Sequence, residues 1–317
     1  MTGLPPLLVI GGATATGKTG LAIRVAEALR ADGLAAEIIS ADSRQVFRGL
    51  DIGTAKATRE ERARVPHHGL DLVDPDEPFS VADFADHARA VLATLATRQG
   101  LAILAGGTGF YLRTVARGLD TDALPHDADT RARIEAELAA GGLAAATARL
   151  ASIAPVRSSR TDLRNPRRVA RALELAELTG DAPLPAPRGY PGPVAWIGLS
   201  VDPGTHNRWI AERARGQFAS GLIDEARRLR DQYDAALPAF SAIGYREAWD
   251  VLDGRATLEQ AIEIDVRRNI TFAKRQRTWF RAEPEIRWLD PVSDGVDDAA
   301  IGTARELVER GAAALKD

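Results

Sequence analysis

The chain has no cysteine among its 317 residues. That absence excludes a disulfide framework and any thiolate site for zinc or an iron–sulfur cluster, and it fits a reducing compartment, so the cytoplasm is the expected location. Long hydrophobic runs are missing too, none approaching the ~20 residues of a membrane helix. The opening MTGLPPLLVIGG lacks a basic start and a small-residue cleavage site, so neither export nor insertion into a membrane is expected. Histidine is scarce. The adjacent His67 and His68 point in different directions and have no Cys or His partner at ligand spacing, which makes them structural.

Net charge is only −3, which by itself argues against a polyanionic partner. The average conceals two basic segments. Residues 155–171 hold six arginines against one aspartate, and residues 264–281 hold five arginines and a lysine against one aspartate. Charge concentrated in this way is the footprint of a protein that meets a phosphate backbone at one place. A pair of solvated helix faces is the simpler alternative for either segment alone. Phe272, Trp279 and Phe280 sit among the second set of charges, and at helical spacing they are expected to be core.

Short apolar runs alternate with helical patterns in the first part of the chain. Strands are expected at Leu7–Ile10, Glu37–Ser40, Leu70–Val73 and Leu101–Leu104, with helices over Lys18–Arg30 and, capped by Ser80, over Val81–Gln99. Such alternation predicts a parallel sheet covered on both faces. From about Asp120 to Pro193 no strand is expected, only Ala/Arg/Leu/Glu-rich helices and a Pro/Gly-rich connector. A strand at Val194–Val201 and a long helix at Leu258–Arg281 then resume the core. The organisation is a core of residues 1–119 and 194–317 with a helical insertion over 120–193.

The densest chemical signal is Gly12, Gly17, Lys18 and Thr19, which fit G-x-x-x-x-G-K-[ST] between a strand and a helix. In that context successive N–H groups and the helix N-terminus face an anion, Lys18 adds a charge, and the Thr19 hydroxyl can ligate Mg2+. A nucleotide-hydrolysing protein also needs an acid on a neighbouring strand. The strand Leu101–Leu104 runs instead into Ala105-Gly106-Gly107-Thr108, which has no carboxylate, although Asp74 is a possible substitute. Asp42, at the end of the second strand, lies at the carboxyl edge where open α/β sheets bind ligands. A cap for a following turn is its structural alternative.

Seven segments, in order, resemble the tRNA dimethylallyltransferases, the adenosine-37 isopentenyltransferases: GATATGKT (12–19), SADSRQVFRGLDIGTAK (40–56), PHHGLD (66–71), GGTGFYLR (106–113), NPRRVARALE (165–174), AIGYRE (242–247) and AKRQRTWFR (273–281). The second is the most discriminating, since few phosphate loops are followed by that string. The resemblance implies an α/β fold, a P-loop NTPase-like parallel sheet core with an inserted all-helical domain. It implies that Gly12, Ala13, Thr14, Ala15, Thr16, Gly17, Lys18 and Thr19 cradle the diphosphate of dimethylallyl diphosphate, with Mg2+ on Thr19. Asp42 is then the base for the adenine amine and Arg213 the helical arginine at the leaving group. Asp42, Ser43, Arg44, Gln45 and Thr108 would meet the target adenine or its neighbours. Arg131, Arg167, Arg168 and Arg171 would contact the tRNA anticodon stem-loop. Trp209 stands where an arginine is usual, which leaves Arg208 a weaker candidate.

A monomer, with no membrane partner, is expected. The absence of a C-terminal Cys/His extension leaves no zinc-finger form to expect. Two alternatives share the cradle. A nucleoside kinase or free-nucleotide isopentenyltransferase would not need the arginine-rich insertion, and an NTP-switched RNA-binding protein would bind ATP or GTP and transfer nothing.

Overall fold

The computed structural model describes residues 4–121, 125–182 and 186–314. The first compact unit comprises Met1–Gly118 and Gly189–Asp317, the second Leu119–Arg188. The Gly/Pro-rich residues 189–193, assigned by composition to the insertion, go with the first unit, where the Tyr190 hydroxyl donates to the Pro5 carbonyl at 2.6 Å.

The first unit is built on six parallel strands: β1 (Leu7–Gly12), β2 (Ala36–Ser40), β3 (His67–His68), β4 (Leu101–Gly106), β5 (Val194–Leu199) and β6 (Ile286–Leu289), in the order β3-β2-β4-β1-β5-β6. β1, β2 and β4 are buried along their whole length and β5 over Trp196–Leu199, so these strands are covered on both faces, and successive side chains go to opposite layers. Leu7, Val9, Ile39 and Leu104 pack with Phe84, Leu92 and Leu112 of α3 (Val81–Thr97) and α4 (Gly109–Ala116). Leu8, Ile10, Ile38 and Ile103 pack on the other side with Leu21, Val25 and Leu29 of α1 (Lys18–Ala31) and with Ala300, Ala304 and Leu307 of α12 (Val296–Ala314). The short α2 (Arg59–Arg64) lies between β2 and β3 in the chain, and α8 (Pro203–Ala219), α9 (Leu222–Gln232), α10 (Tyr245–Leu252) and α11 (Leu258–Arg281) lie between β5 and β6. Because β1 is central, the loop at its carboxyl end opens where α/β sheets bind ligands.

Two strand expectations need correction. The third strand is His67–His68, paired with Ile38 and Ile39, and the 70–73 segment contributes only a bridge from Val73 to Phe47. Its sequence is apolar enough, but Gly69 (φ 77) and Asp71 (φ 55) lie in the left-handed region and break the extended run, and the Asp71 carboxylate is drawn to Lys56 and Arg62. β6 was not expected. Four residues long, with Arg287 and Trp288 exposed, it has too little apolar character to stand out.

The second unit has its own core. Ile134 and Leu150 of α5 (Ala128–Ile153, broken at Gly142) meet Val169 and Leu173 of α7 (Pro166–Thr179), with the short α6 (Pro155–Ser159) between them in the chain.

The bare end of β4 has a steric cause. A Cβ on Gly106 would lie 2.1 Å from the Ala41 carbonyl oxygen, on Gly107 2.4 Å from the Gln276 amide, and on Gly109 2.3 Å from the Trp279 ring. Gly106 faces backbone, which has least room to give. Gly106→Ala is therefore expected to destabilise the fold by about 3 kcal/mol, the upper end of overpacking costs. A chemical denaturation midpoint equal to wild type would show that β2 and β4 are not held this closely.

Candidate active site

A cleft of about 860 Å³ opens at the carboxyl edge of the sheet, entirely within the first unit. One wall is the loop between β1 and α1. Gly17 (φ 83) and Ala15 (φ 60) take left-handed conformations that bend it back on itself. The Ala13 carbonyl accepts from the Thr16 hydroxyl (2.9 Å) and from Lys18 Nζ (2.6 Å). Thr14, Ala15, Gly17, Lys18 and Thr19 face the cleft; Gly12, Ala13 and Thr16 do not line it and shape the turn from behind. Thr19 is exposed in the first turn of α1, open to a ligand.

The opposite walls come from loops after β2 and β4 and from two helices, α8 and α11. Asp42 follows β2 and accepts the Arg44 N–H at 2.8 Å through Oδ1; Oδ2 has no hydrogen bond among the described residues. Ser43 N donates to Thr108 Oγ1 at 3.0 Å, which joins the two strand ends. Gln45 lines the cleft, but its amide is occupied: Nε2 donates to the Thr54 and Ala55 carbonyls, and Oε1 accepts from Ser40. Arg44 reaches the Pro238 carbonyl. Asp74 pairs with Arg48 at the surface and does not line the cleft, so it does not act as the missing strand-end acid.

The electrostatics centre on two cations. Lys18 and Arg213 make no ion pair among the described residues, although both are half-buried. Burial and, after it, Arg213 lower the pKa of Lys18 to about 7, against an opposing pull from Asp42. Burial likewise lowers that of Arg213, opposed by Asp265 and Asp42. Arg213 Nη2 donates to Asn269 Oδ1 at 3.2 Å, while its buried Nε has no partner. Asn269 Nδ2 in turn donates to Asp265 at 2.7 Å, so Asp265 turns the amide oxygen toward Arg213. Asp265 is 1% exposed, and burial raises its pKa to about 6. An unpaired buried guanidinium donor beside a lysine is a site made for an anion.

Sequence reasoning passed over the residues that hold this loop. Gln276 of α11 accepts the Thr14 N–H (2.8 Å) and donates to the Gly107 carbonyl (2.9 Å). His206 of α8 bonds the Thr14 carbonyl at 2.8 Å. Asp265, Asn269 and Gln276 all lie on the buried face of α11, and polar residues spaced along a buried helix face are the signal that would have marked them. The 40–56 loop is held similarly: buried Glu225 accepts Ile52 N, Gly53 N and the Tyr245 hydroxyl, and Gln217 donates to the Ile52 and Gly53 carbonyls. Phe280 is core as expected, but Phe272 is 37% exposed and lines the cleft, with Arg275 over its ring. His68 is bonded to Glu37, and no three described His, Asp or Glu residues are grouped to hold a metal.

The arginines of the second unit divide. Arg157 is buried and caps the end of α7 by donating to the Gly180 and Ala182 carbonyls. Arg131 and Arg171 converge on buried Glu174. Arg164, Arg167 and Arg168 stay exposed; Arg164 precedes the helix and is not on its face. The cluster is thus better supplied with acids than the 155–171 segment suggests.

A family model described as IPP transferase matches residues 45–283. The tRNA dimethylallyltransferase of Roseiflexus sp. (strain RS-1) is 41% identical over 310 residues, covering 96% of this chain and 99% of that protein. That of Thermus thermophilus is 42% identical over 280 residues, 87% of this chain and 89% of the other. Among solved structures, the full-length tRNA isopentenylpyrophosphate transferase from Bacillus halodurans superposes with a TM-score of 0.70 at 37% identity, over 98% of this chain and 99% of that one.

Because Lys18 is charged below about pH 7 and neutral above it, its attraction for an anion is present at low pH and fades as pH rises. Affinity for inorganic pyrophosphate in metal-free buffer, measured by calorimetry, is expected to fall relative to a Lys18→Arg variant by about tenfold or more between pH 6 and pH 9. Parallel pH dependences would mean that Lys18 keeps an ordinary lysine pKa.

Proposed function

The chain belongs to the IPP transferase family, and we propose that it is a tRNA dimethylallyltransferase that moves the prenyl group of dimethylallyl diphosphate to N6 of adenosine 37, beside the anticodon, and releases diphosphate. The observation that carries this reading is the cleft that Lys18, Arg213, a phosphate loop and Asp42 line together, the two cations without an ion pair among the described residues and the end of β4 without an acid to activate water.

An exocyclic adenine amine is a poor nucleophile because its lone pair is delocalised into the ring. Asp42, oriented by the Arg44 N–H and with Oδ2 unbonded among the described residues, takes the amine proton as the C–N bond forms. Such a base is worth ~10²–10⁴ in rate. Negative charge collects on the departing diphosphate, where Lys18, Arg213 and the phosphate loop that line the cleft would stabilise it. Thr19 is the residue that would hold Mg2+. Mg2+ keeps most of its waters and binds through few protein ligands plus substrate phosphates, which fits a site with one exposed hydroxyl and no cluster of carboxylates among the described residues. When bound, it supplies further charge neutralisation at the leaving group.

The target base has to leave its stack to enter such a cleft, a step of a few kcal/mol that is smallest in a single-stranded loop. Ser43, Thr108 and Gln45 shape the entrance, Gln45 through the 54–55 backbone it holds. The helical unit supplies phosphate contacts. Arg167 and Arg168 occupy the first turn of α7, where the helix dipole is positive and cations are unfavourable by about 0.3–1 kcal/mol each. An RNA phosphate relieves that repulsion. A tRNA substrate places the work in the cytoplasm. No described helix is long and apolar enough to cross a membrane, and we take the working form to be a monomer.

The reading is tested by incubating the protein with Mg2+, an unmodified anticodon stem-loop with adenines at positions 36 and 37, and either dimethylallyl diphosphate or ATP, then weighing the RNA. A gain of one prenyl group only with the prenyl donor is expected; consumption of ATP without transfer would return the cradle to a nucleotide. Asp42→Ala is expected to keep pyrophosphate and RNA binding while losing at least ~10²-fold in turnover, and unchanged turnover would remove Asp42 from the base role. Changing Arg167 and Arg168 together to Ala is expected to reduce the slope of log affinity for RNA against log salt by about two, one per phosphate contact. An unaltered slope would make them solvated surface.

A further inference from the structure

His206 does not line the cleft and is 1% exposed. Its Nε2 is 2.8 Å from the Thr14 carbonyl oxygen and its Nδ1 is 2.6 Å from Arg277 Nη1. An arginine only donates, so Nδ1 must accept and Nε2 must carry the proton that reaches Thr14. Arg277 therefore selects the tautomer, and the tautomer selects the bond to the loop. Gln276, the neighbour of Arg277 on α11, takes the Thr14 N–H. The N–H and carbonyl of one loop residue are thus held by two different helices.

We propose that His206, its tautomer set by Arg277, is a positioning residue that fixes the phosphate loop in its anion-binding shape and sets it in register with Arg213. This inference rests on the reading of the cleft as a prenyl diphosphate site. Along α8, His206, Ile210, Arg213 and Gln217 follow one face. His206 touches the loop, Ile210 packs against Ala13 and Ala273, Arg213 reaches the cleft, and Gln217 holds the 52–53 backbone. A helix tied to the loop at one end and to the 40–56 loop at the other delivers Arg213 to a set place between them. Burial holds the imidazole pKa below its usual value, the Thr14 bond opposes this, and Arg277, Lys18 and Arg213 each add to the lowering. The groups that act on it from α1, α8 and α11 are cations, so it stays neutral where the enzyme works. Protonation at Nδ1 would set N–H against N–H at Arg277 and break the tie.

Three variants test this in the full-length protein. His206→Leu removes both bonds. It is expected to weaken inorganic pyrophosphate binding and raise KM for dimethylallyl diphosphate by about tenfold, with a smaller effect on KM for the anticodon stem-loop. His206→Gln keeps a donor and an acceptor on one side chain and is expected to restore KM to within about threefold of wild type. Arg277→Met, at a half-buried position that tolerates an apolar chain, frees His206 to change tautomer and to take a proton. Its kcat/KM is expected to fall on the acid side at a higher pH than wild type, so that the ratio of variant to wild type drops at least threefold from pH 8 to pH 6. If His206→Leu does not fold, the glutamine and methionine variants still decide. A glutamine variant as impaired as a cavity would be, or a methionine variant whose pH profile runs parallel to wild type, would overturn the proposal, as would a folded leucine variant with wild-type KM. Failure of wild type itself to bind pyrophosphate or transfer a prenyl group would instead be failure of the functional reading.

Discussion

Two half-buried cations lining one cleft, neither in an ion pair among the described residues, are the constraint around which the first unit is built. Burial, and after it Arg213, lowers the affinity of Lys18 for a proton, and burial does the same to Arg213. Left alone, such an arrangement would relax by moving one side chain into water or toward an acid. It persists because each is held from behind. Lys18 Nζ rests on the Ala13 carbonyl of its own loop, and the Arg213 guanidinium is met by an asparagine, which offers an oxygen without neutralising the charge. Asp265, one step further back, is the acid that would have neutralised it, and Asn269 stands between them. Asp42 pulls on both cations without pairing with either, which leaves them to an anion that enters the cleft.

Rigidity behind the site follows from the same need. A cleft that keeps like charges together has to resist their repulsion through its walls, and part of those walls is loop. The loop after β1 is tied at Thr14 to Gln276 and His206; the loop after β2 is tied through Ile52 and Gly53 to Glu225 and Gln217. The ties run to side chains on α8, α9 and α11, all C-terminal to the helical unit in sequence. This explains why the phosphate-binding segment alone does not make the site: the residues that hold it lie some 190 and 260 positions away.

How much of this was legible depended on whether the signal was local. β1, α1 and the phosphate loop follow from an apolar run, a glycine pattern and a Lys-Thr pair within a dozen residues, and Leu258–Arg281 is helical from end to end as its periodicity predicts. Asp42, Arg213 and Thr19 were found by motif and do line one cleft. The 70–73 strand was misplaced because apolar composition does not reveal that Asp71 takes a left-handed backbone to reach Lys56. The glycines after β4 looked like a missing acid and are a packing requirement, visible only when Ala41, Gln276 and Trp279 are in place. For Gln45 the motif suggested a base contact and the residue type a glutamine bonded to backbone, and its amide nitrogen is bonded to the carbonyls of residues 54 and 55. The His206 and Gln276 ties join residues so distant in sequence that no periodicity links them.

The second unit shows the opposite treatment of charge. There most arginines are answered: Glu174 takes Arg131 and Arg171, and Glu137 and Glu177 take Arg133 and Arg149. These pairs brace α5 against α7 and leave the unit with a defined surface instead of a diffuse positive field. Arg167 and Arg168 are left exposed at the positive end of α7, with only a 3.8 Å approach of Arg168 to Asp162. A nucleic-acid partner bound by diffuse charge would slide; one bound at two or three fixed cations is held in register. Register is what a transfer to one base of a loop demands, since a cleft that admits a single flipped nucleotide is useful only if the backbone beside it is placed the same way each time. For the transfer proposed above, neutralising most of the arginines and sparing a few would give an RNA fixed phosphate contacts in place of a diffuse positive field, and so a position along it and not merely attachment.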